Sequence, residues 1–528
     1  MLTFTLDKSI SADMELVVLL LTLAAFATAG LMWRRWFEAR WNYRALCLAV
    51  GLLGLVLTVA TMFGRGIILD EVVHTHAAWM MAHGFLPYRD FWDNHPPSHW
   101  LLVSLLLRRL PPGAYIHDLI RVLSVALSAV SVILAMFLAS RVWGERQVML
   151  PAGLLLVGEI VFLDFYFLRA DLFANVCTLG ALCLLATRRD GVGFWGSGVL
   201  IGLALSFTPR HWVYVLLVPL FLLWAREHYA GALRLALFHF LGMALGLVPL
   251  TAWLLSKGLL ADCVFWTLRF HADMGAQLGG TFPLLVTALA VWGGILLLRS
   301  DSWRQDPAGK LLVLALGLAA FGYLTQPNGK FTYAEQMFGL LAAVVGSGPA
   351  YAAVRHLVAQ RRTVLVCVLA GLYLWPVIYW GQHWQRSGEY RQDLRDHQLL
   401  LDLAGGEPVV CMAPWHPTFV ADATYFSHLC QYYSYSQKPE IRAPLRSMPE
   451  EIIRKRPPLI STEVVERFGK IGIFTPAQSA ALTAFLTQGY RKTTVGEHGY
   501  WVRNDRASHF SLPPWHAEGS DVEAPPDS

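Results

Sequence analysis

Charge is what this chain has least of. Only 15% of its 528 residues are Asp, Glu, Lys or Arg, whereas 55% are hydrophobic. Soluble domains carry about 25% charged residues, so the shortfall excludes a wholly water-solvated protein. Cysteine is also sparse: the seven residues show no metal-ligand spacing, which argues against a thiolate zinc module. Cys47, Cys177, Cys183 and Cys367 fall in apolar runs, while Cys411 and Cys430 share the polar C-terminal part, where an oxidising compartment would let them pair. No internal repeat is visible, so the paired halves expected of many secondary transporters are missing. The first apolar run lacks the basic flank and small-residue cleavage site of a secretory signal. Asp7, Asp13 and Glu15 precede it and Arg34–Arg35 follow it. It reads as a retained membrane helix.

Long apolar runs are abundant. They recur near 15–33, 45–63, 118–140, 147–163, 172–187, 193–208, 212–225, 232–256, 283–298, 311–324, 334–354 and 363–381. Each approaches the length needed to cross a ~30 Å hydrocarbon core, so about twelve transmembrane helices are expected. The runs 193–208 and 212–225 are short, consistent with tilted spans or one re-entrant pair. Alternate loops from Arg34 to Arg362 hold about sixteen basic residues, against about ten on the other face. The positive-inside rule makes the richer face cytoplasmic, and the net charge of +5 then reflects topology and not nucleic-acid binding. Loop 64–117 and everything after residue 381 are expected outside.

From 382 to 506 the composition turns ordinary and soluble. Arg391–Ala404 reads as a helix ending at Gly405–Gly406, and 407–412 (EPVVCM) as a buried strand. Thr475-Pro476-Ala477-Gln478 has the form of a capping box with Pro at the first helical position, and Gly489 marks the helix end. YRKTTV and YWVRN around Gly496-Glu497 form a hairpin pattern. Together these predict a small extracytoplasmic α/β domain. Residues 507–528, rich in Pro, Ser and Asp, are expected to be disordered.

The chemistry concentrates in Arg65–Trp100. Asp70 and Glu71 directly follow an apolar span, and His74, His76, His83, His95 and His99 come after them with Asp90 and Asp93. A carboxylate at the membrane boundary can have its pKa raised toward a range useful to a general base. If the segment is helical, Asp70 and His74 share a face while Glu71 points about 100° away. The bland alternative is an acid pair favouring a helix N-terminus.

Asp70-Glu71, a His-bearing segment and then GFLPYRDFWDNHPP (Gly84, Pro87, Tyr88, Arg89, Asp90, Phe91, Pro96, Pro97) resemble the first outer loop of GT-C glycosyltransferases. The resemblance is to the bacterial branch related to protein O-mannosyltransferases, aminoarabinose transferases and lipopolysaccharide galacturonosyltransferases. The motifs cover roughly 45–210. The resemblance implies an integral-membrane, all-α polytopic bundle of GT-C type over 1–381 with the small α/β domain behind it. It also implies transfer of a sugar, with inversion, from a polyprenyl-phosphate carrier to an acceptor hydroxyl on a glycan, lipid or protein, at the outer face of a bacterial inner membrane. Asp70 matches the family's base, with Glu71 beside it.

Because the departing lipid phosphate is already a good leaving group, one carboxylate and a few cations suffice. Glycosidases, which expel an alcohol, need two carboxyls. Substrate contacts are expected from His74, Tyr88, Arg89, Asp90 and His95. The second outer loop (LDFYFLRAD) offers Asp164, Arg169 and Asp171; Arg210, Arg269 and Lys330 stand at outer helix boundaries. Snorkelling basic side chains are ordinary at such boundaries, and an Arg–Asp surface pair is the plain alternative for Arg169 and Asp171. Aromatics such as Trp79, Trp92 and Trp100 read most simply as interface anchors.

His74 and His76 with Asp70 or Glu71 would approximate a metal set. Residues two apart on a helix face different ways, however, so no metal and no other cofactor is expected. A transporter or lipid-linked-sugar flippase is the competing class, since about twelve helices suits it and Glu159 lies within a span as relay, packing group or lipid contact. A structural assembly protein is a third, although adjacent outward carboxylates would serve it no purpose.

Overall fold

Element boundaries follow the apolar runs closely. The computed structural model describes residues 65–144, 148–162, 167–270, 284–299, 306–325, 336–360, 368–375, 388–425, 445–470 and 472–510, with positions 63, 362, 365, 366 and 512. The first two expected spans, Asp164, Lys330 and Cys430 lie outside these, as do 381–387 and all of the tail beyond Leu512.

In chain order the helices begin with α1 (Leu69–Ala82), α2 (Ser98–Leu107), α3 (Ile116–Trp143), α4 (Met149–Phe162), α5 (Ala170–Thr187) and α6 (Gly191–Phe207). After a 3-10 helix at Pro209–Leu216 come α7 (Leu217–Trp224), α8 (Ala232–Lys257), α9 (Leu260–Val264), α10 (Leu284–Arg299), α11 (Ala308–Thr325) and α12 (Gln336–Ala359). The C-terminal part holds α13 (Glu389–Ala404), α14 (Met448–Lys455), β1 (Leu459–Ser461), α15 (Thr462–Lys470), α16 (Pro476–Gly489), β2 (Tyr490–Val495), β3 (His498–Arg503) and α17 (Asn504–Ala507). Among the described residues, α3, α5, α8, α11 and α12 are long and apolar enough to cross a membrane. The run 212–225 is not one α-helix. Pro219 lacks an N–H and would clash with the carbonyl four residues back, so the tighter 3-10 form precedes α7.

The chain divides into two compact units. The first comprises 1–65, 121–258 and 267–388. Its core packs Leu182, Phe194, Phe221, Leu312 and Leu341. Helices α6 and α8 cross on four glycines: a Cβ at Gly198 or Gly202 would lie 2.0 or 2.2 Å from the carbonyl oxygens of His239 and Met243. Gly242 and Gly246 meet Trp195 and Val199 in the same way, at 2.1 and 2.3 Å. Small residues four apart let membrane helix backbones approach this closely. The opposite side of α8 exposes Leu233, Leu237, Leu241, Leu245 and Val248, a stripe suited to lipid and a liability in water. Loops assigned to one membrane face from their charge do meet: Asp306 pairs with Arg141 at 2.6 Å and Arg189 at 3.3 Å, and Glu227 pairs with Lys310.

The second unit comprises 66–120, 259–266 and 389–528. The polar stretch is therefore packed with the C-terminal part and is not merely a connecting loop. Helix α1 begins with Asp70 and Glu71 in its first turn, where the helix dipole favours negative charge. Helix α2 starts right after Pro96-Pro97. Helix α13 ends at Gly405 and Gly406, both at positive φ (57° and 80°) that glycine alone adopts freely. The capping box at Thr475 forms with both of its hydrogen bonds. Strands β2 and β3 pair with Val495 opposite His498, leaving Gly496-Glu497 as the turn, and β1 adds to β3 in an antiparallel order β1-β3-β2.

The expected strand at 407–412 is buried and extended but makes only single bridges, Val409 to Asp422 and Val410 to Ile460. Pro408 and Pro414 bracket it and cannot donate to a ladder. β1, α14 and α15 carry no alternating run long enough to announce them.

Candidate functional site

Asp70 is half-buried in the first turn of α1, whereas the Glu71 side chain is fully buried, with Oε1 3.6 Å from His117 Nδ1. Adjacent carboxylates thus have different surroundings, as the 100° helical step requires. One turn on, His74 is 2% exposed. Trp100 Nε1 donates to His74 Nδ1 at 3.2 Å, and His99 Nε2 lies 3.1 Å from the same atom. An indole N–H can only donate, so a neutral His74 carries its proton on Nε2. His95 joins this group edge-on, its ring 4.8 Å from that of His74. Asp93 holds it there, Oδ1 accepting the Asn94 and His95 backbone N–H groups and lying 2.8 Å from His95 Nδ1.

The PYRDF segment is built as a strapped turn. Tyr88 has φ +67°, unusual for a residue with a bulky side chain. Its hydroxyl donates to the His95 carbonyl and lies 3.5 Å from Cys263 Sγ. Burial, with Cys263 and Asp93 adding to it, pushes the phenol well above its ordinary pKa. The Tyr425 hydroxyl donates to the Tyr88 carbonyl at 2.7 Å, and the Tyr425 backbone carbonyl accepts the Trp92 backbone N–H at 3.0 Å. Arg89 and Asp90 pair with each other, and Asp90 also accepts the Leu86 N–H at 2.7 Å. Partial burial pushes the Asp90 carboxyl up, but these hydrogen bonds outweigh it and leave the group below its usual range. Tyr88 and Asp90 thus shape the turn, while the Arg89 side chain is 58% exposed.

Sequence reasoning missed a second group in this unit. Thr418 Oγ1 lies 3.3 Å from His117 Nε2 and 3.4 Å from His397 Nδ1, linking Glu71, His117 and His397 in one buried chain. Burial first, and His117 second, hold the His397 imidazole well below its ordinary pKa. The Thr418 carbonyl lies 2.7 Å from His76 Nδ1, and His76 Nε2 faces Asp422. His74 and His76 do point to different partners. Nothing in the local sequence around 414–422 announces this packing.

In the first unit, Arg169 stands at the residue before α5 and is 3% exposed. Its Nε lies 3.4 Å from Asp171 Oδ2, and Arg210 Nη1 lies 3.4 Å from the same oxygen. Beside them, Thr178 Oγ1 meets His211 Nδ1 at 2.8 Å, and Asn175 donates to Gln336 at 3.0 Å. Asp171, Asn175, Arg210, Gly322 and Tyr323 line a polar cleft here. Arg169 and Arg210 are both donors of the kind that bind carboxylate and phosphate groups. Arg269 stands exposed at the end of a π-turn, apart from this group in the sequence. Arg65 and Arg121, unforeseen, both lie over the Phe167 ring at 5.4 and 5.6 Å.

Among solved structures the chain is similar to ArnT from Cupriavidus metallidurans bound to undecaprenyl phosphate, at 12% identity and TM-score 0.56 over 88% of this chain and 98% of that one. The chain thus shares the fold of ArnT. ArnT in the apo state matches at 13% identity and TM-score 0.55, over 87% and 97% of the two chains. The apo oligosaccharyltransferase of Archaeoglobus fulgidus matches at 9% identity and TM-score 0.53, over 88% and 75%. No family model and no curated relative matches the sequence. With five described helices long and apolar enough to cross a membrane, and this fold, the chain is a multi-pass membrane protein.

Proposed function

We propose that this protein is an inverting glycosyltransferase. It moves a sugar from a polyprenyl-phosphate carrier to an acceptor hydroxyl at the outer face of a bacterial cytoplasmic membrane. The observation that carries this reading is Asp70. It is a half-buried carboxylate at the start of a helix, in a chain with the GT-C fold, and its neighbour Glu71 is tied down against His117.

Asp70 takes the acceptor proton as the acceptor oxygen attacks the anomeric carbon. The bond to the lipid phosphate breaks on the opposite face, and the phosphate leaves with its electron pair. Glu71 supports the base from its buried position. Arg169 and Arg210, with Arg269 and Lys330, supply the cations that hold phosphate. His74 and His95 contact the sugar or its phosphate, and exposed Arg89 offers a further contact. The chemical step as written needs no metal and no other cofactor. ArnT was crystallised with undecaprenyl phosphate and the archaeal oligosaccharyltransferase is described with dolichol-phosphate. Both support a lipid-linked donor here. The acceptor class is a hydroxyl of lipopolysaccharide, another glycan or a protein.

Purified full-length protein in detergent, given radiolabelled polyprenyl-phosphate sugars and an acceptor extract, should transfer label. Asp70→Asn should abolish that transfer while leaving the melting curve intact. Undiminished transfer by Asp70→Asn would sink the assignment, and solute counterflow in liposomes without any sugar transfer would favour a carrier.

A further inference from the structure

We propose that His76, His416 and Asp422 form a binding site for a divalent transition metal, zinc by donor chemistry, which fastens helix α1 to the segment 416–422. The three side chains are 0–1% exposed. His76 Nε2 lies 3.1 Å from Asp422 Oδ2, and His416 Nε2 lies 3.1 Å from Asp422 Oδ1. One ligand atom from each residue falls within 4.8 Å of the others.

The tautomer of His76 decides what the cluster needs. Its Nδ1 is 2.7 Å from the Thr418 carbonyl, and a carbonyl only accepts. Nδ1 therefore carries the proton, and the lone pair of a neutral ring sits on Nε2, aimed at Asp422. An ionised carboxylate also only accepts. Two acceptors at 3.1 Å repel unless a positive charge lies between them. A metal ion accepts the Nε2 lone pairs of both imidazoles and the carboxylate at once. Bonds of about 2.0–2.2 Å in a tetrahedral set give ligand atoms about 3.3 Å apart, close to the two histidine–aspartate separations of 3.1 Å. The carbonyl on the far ring nitrogen is the outer partner that metal-bound histidines generally have.

Two nitrogens with one oxygen select zinc or a neighbouring transition ion over calcium and magnesium, which prefer all-oxygen shells. The site also offsets the cost of burying a carboxylate. His74 takes no part, since its partners are His99 and Trp100. Asp70 stands six residues before His76 on the same helix, so the ion would hold that helix in place against a segment more than 300 residues away.

This assignment does not depend on the glycosyl-transfer reading. Full-length protein purified in detergent without a metal-affinity step should contain about one zinc per chain by elemental analysis. Removal with phenanthroline should lower the melting temperature by about 3 °C or more, and Zn2+ should restore it. Co2+ added to the apoprotein should give the visible bands of a tetrahedral nitrogen–oxygen site. His416→Ala and Asp422→Asn should lose the bands, and exposed His83→Ala should keep them. If those variants fail to fold, the wild-type cobalt titration and elemental content decide alone. Wild-type protein without metal and with no response to Zn2+ or Co2+ would overturn the proposal and leave a proton-sharing histidine–aspartate cluster. Cobalt bands that persist in His416→Ala would also overturn it.

Discussion

The two polar groups of this protein are assembled in opposite ways. In the unit holding residues 66–120 and the C-terminal part, partners come from far along the chain: His76 meets Thr418 and Asp422 across 342 and 346 residues. In the bundle unit, Asp171 finds Arg210 across 39 residues and Thr178 finds His211 across 33. The first arrangement is a buried polar core of histidine, threonine and carboxylate side chains. The second is buried too, with Arg169 3% and Asp171 6% exposed at the start of α5, but its partners lie close along the chain. Residues of the first group are therefore costly to remove for the fold. Asp171, Asn175, Arg210 and His211 of the second line a cleft.

The largest effect separating the two should come from Asp70→Asn. Transfer should fall about 10²- to 10⁴-fold, the usual worth of a positioned base, with melting temperature unchanged. Glu71→Gln should instead unfold the protein at lower temperature, because it leaves buried His117 facing a neutral amide. In the bundle, Arg169→Gln should weaken donor binding by about 10- to 100-fold, matching the ~1.5–3 kcal/mol of a charged hydrogen bond, read as a raised KM for the lipid donor. A smaller KM effect than at exposed Arg89→Gln would reverse the roles assigned to the two arginines.

Gly202→Leu tests the bundle's packing and not its chemistry. A side chain driven into the Met243 carbonyl should cost about 1–3 kcal/mol or more, seen as lost folded protein on size exclusion with Asp70 untouched.

The pH dependence should come from the first unit. The folded His397 pKa is depressed, so below the unfolded value of about 6.5 the unfolded chain takes up a proton that the native state refuses. Stability should be constant above that pH and decline as pH falls toward the lower folded value. His397→Gln should flatten the profile of melting temperature between about pH 7.5 and 5.5. The smallest change should follow Thr475→Ala, which removes one cap for about 1 kcal/mol and should leave transfer and metal content alone.

Much of the fold was legible because local rules govern it. The 118–140 run lies in α3, the 232–256 run in α8, the capping box at Thr475 starts α16, and Gly405–Gly406 end α13. The glycine crossing at 198/202 and 242/246 was also there to be read, as two small-xxx-small pairs. Of the site, only the differing directions of Asp70 and Glu71, and of His74 and His76, follow from the helical step alone. Thr418, His397, His416 and Asp422 could not be foreseen. Their neighbours in sequence say nothing of α1, and they gain meaning only when the chain returns to it.

Sequence alone thus determined that the chain lives in lipid, where its helices start and stop, and where the acidic helix begins. Each of these depends on composition or on residues within a turn of one another. Tertiary structure alone decided that the polar stretch packs with the C-terminal part, that Glu71 is buried and Asp70 is not, and that His76 faces an aspartate and a second histidine. Those outcomes rest on contacts that cost chain entropy to close and leave no periodic trace in the sequence.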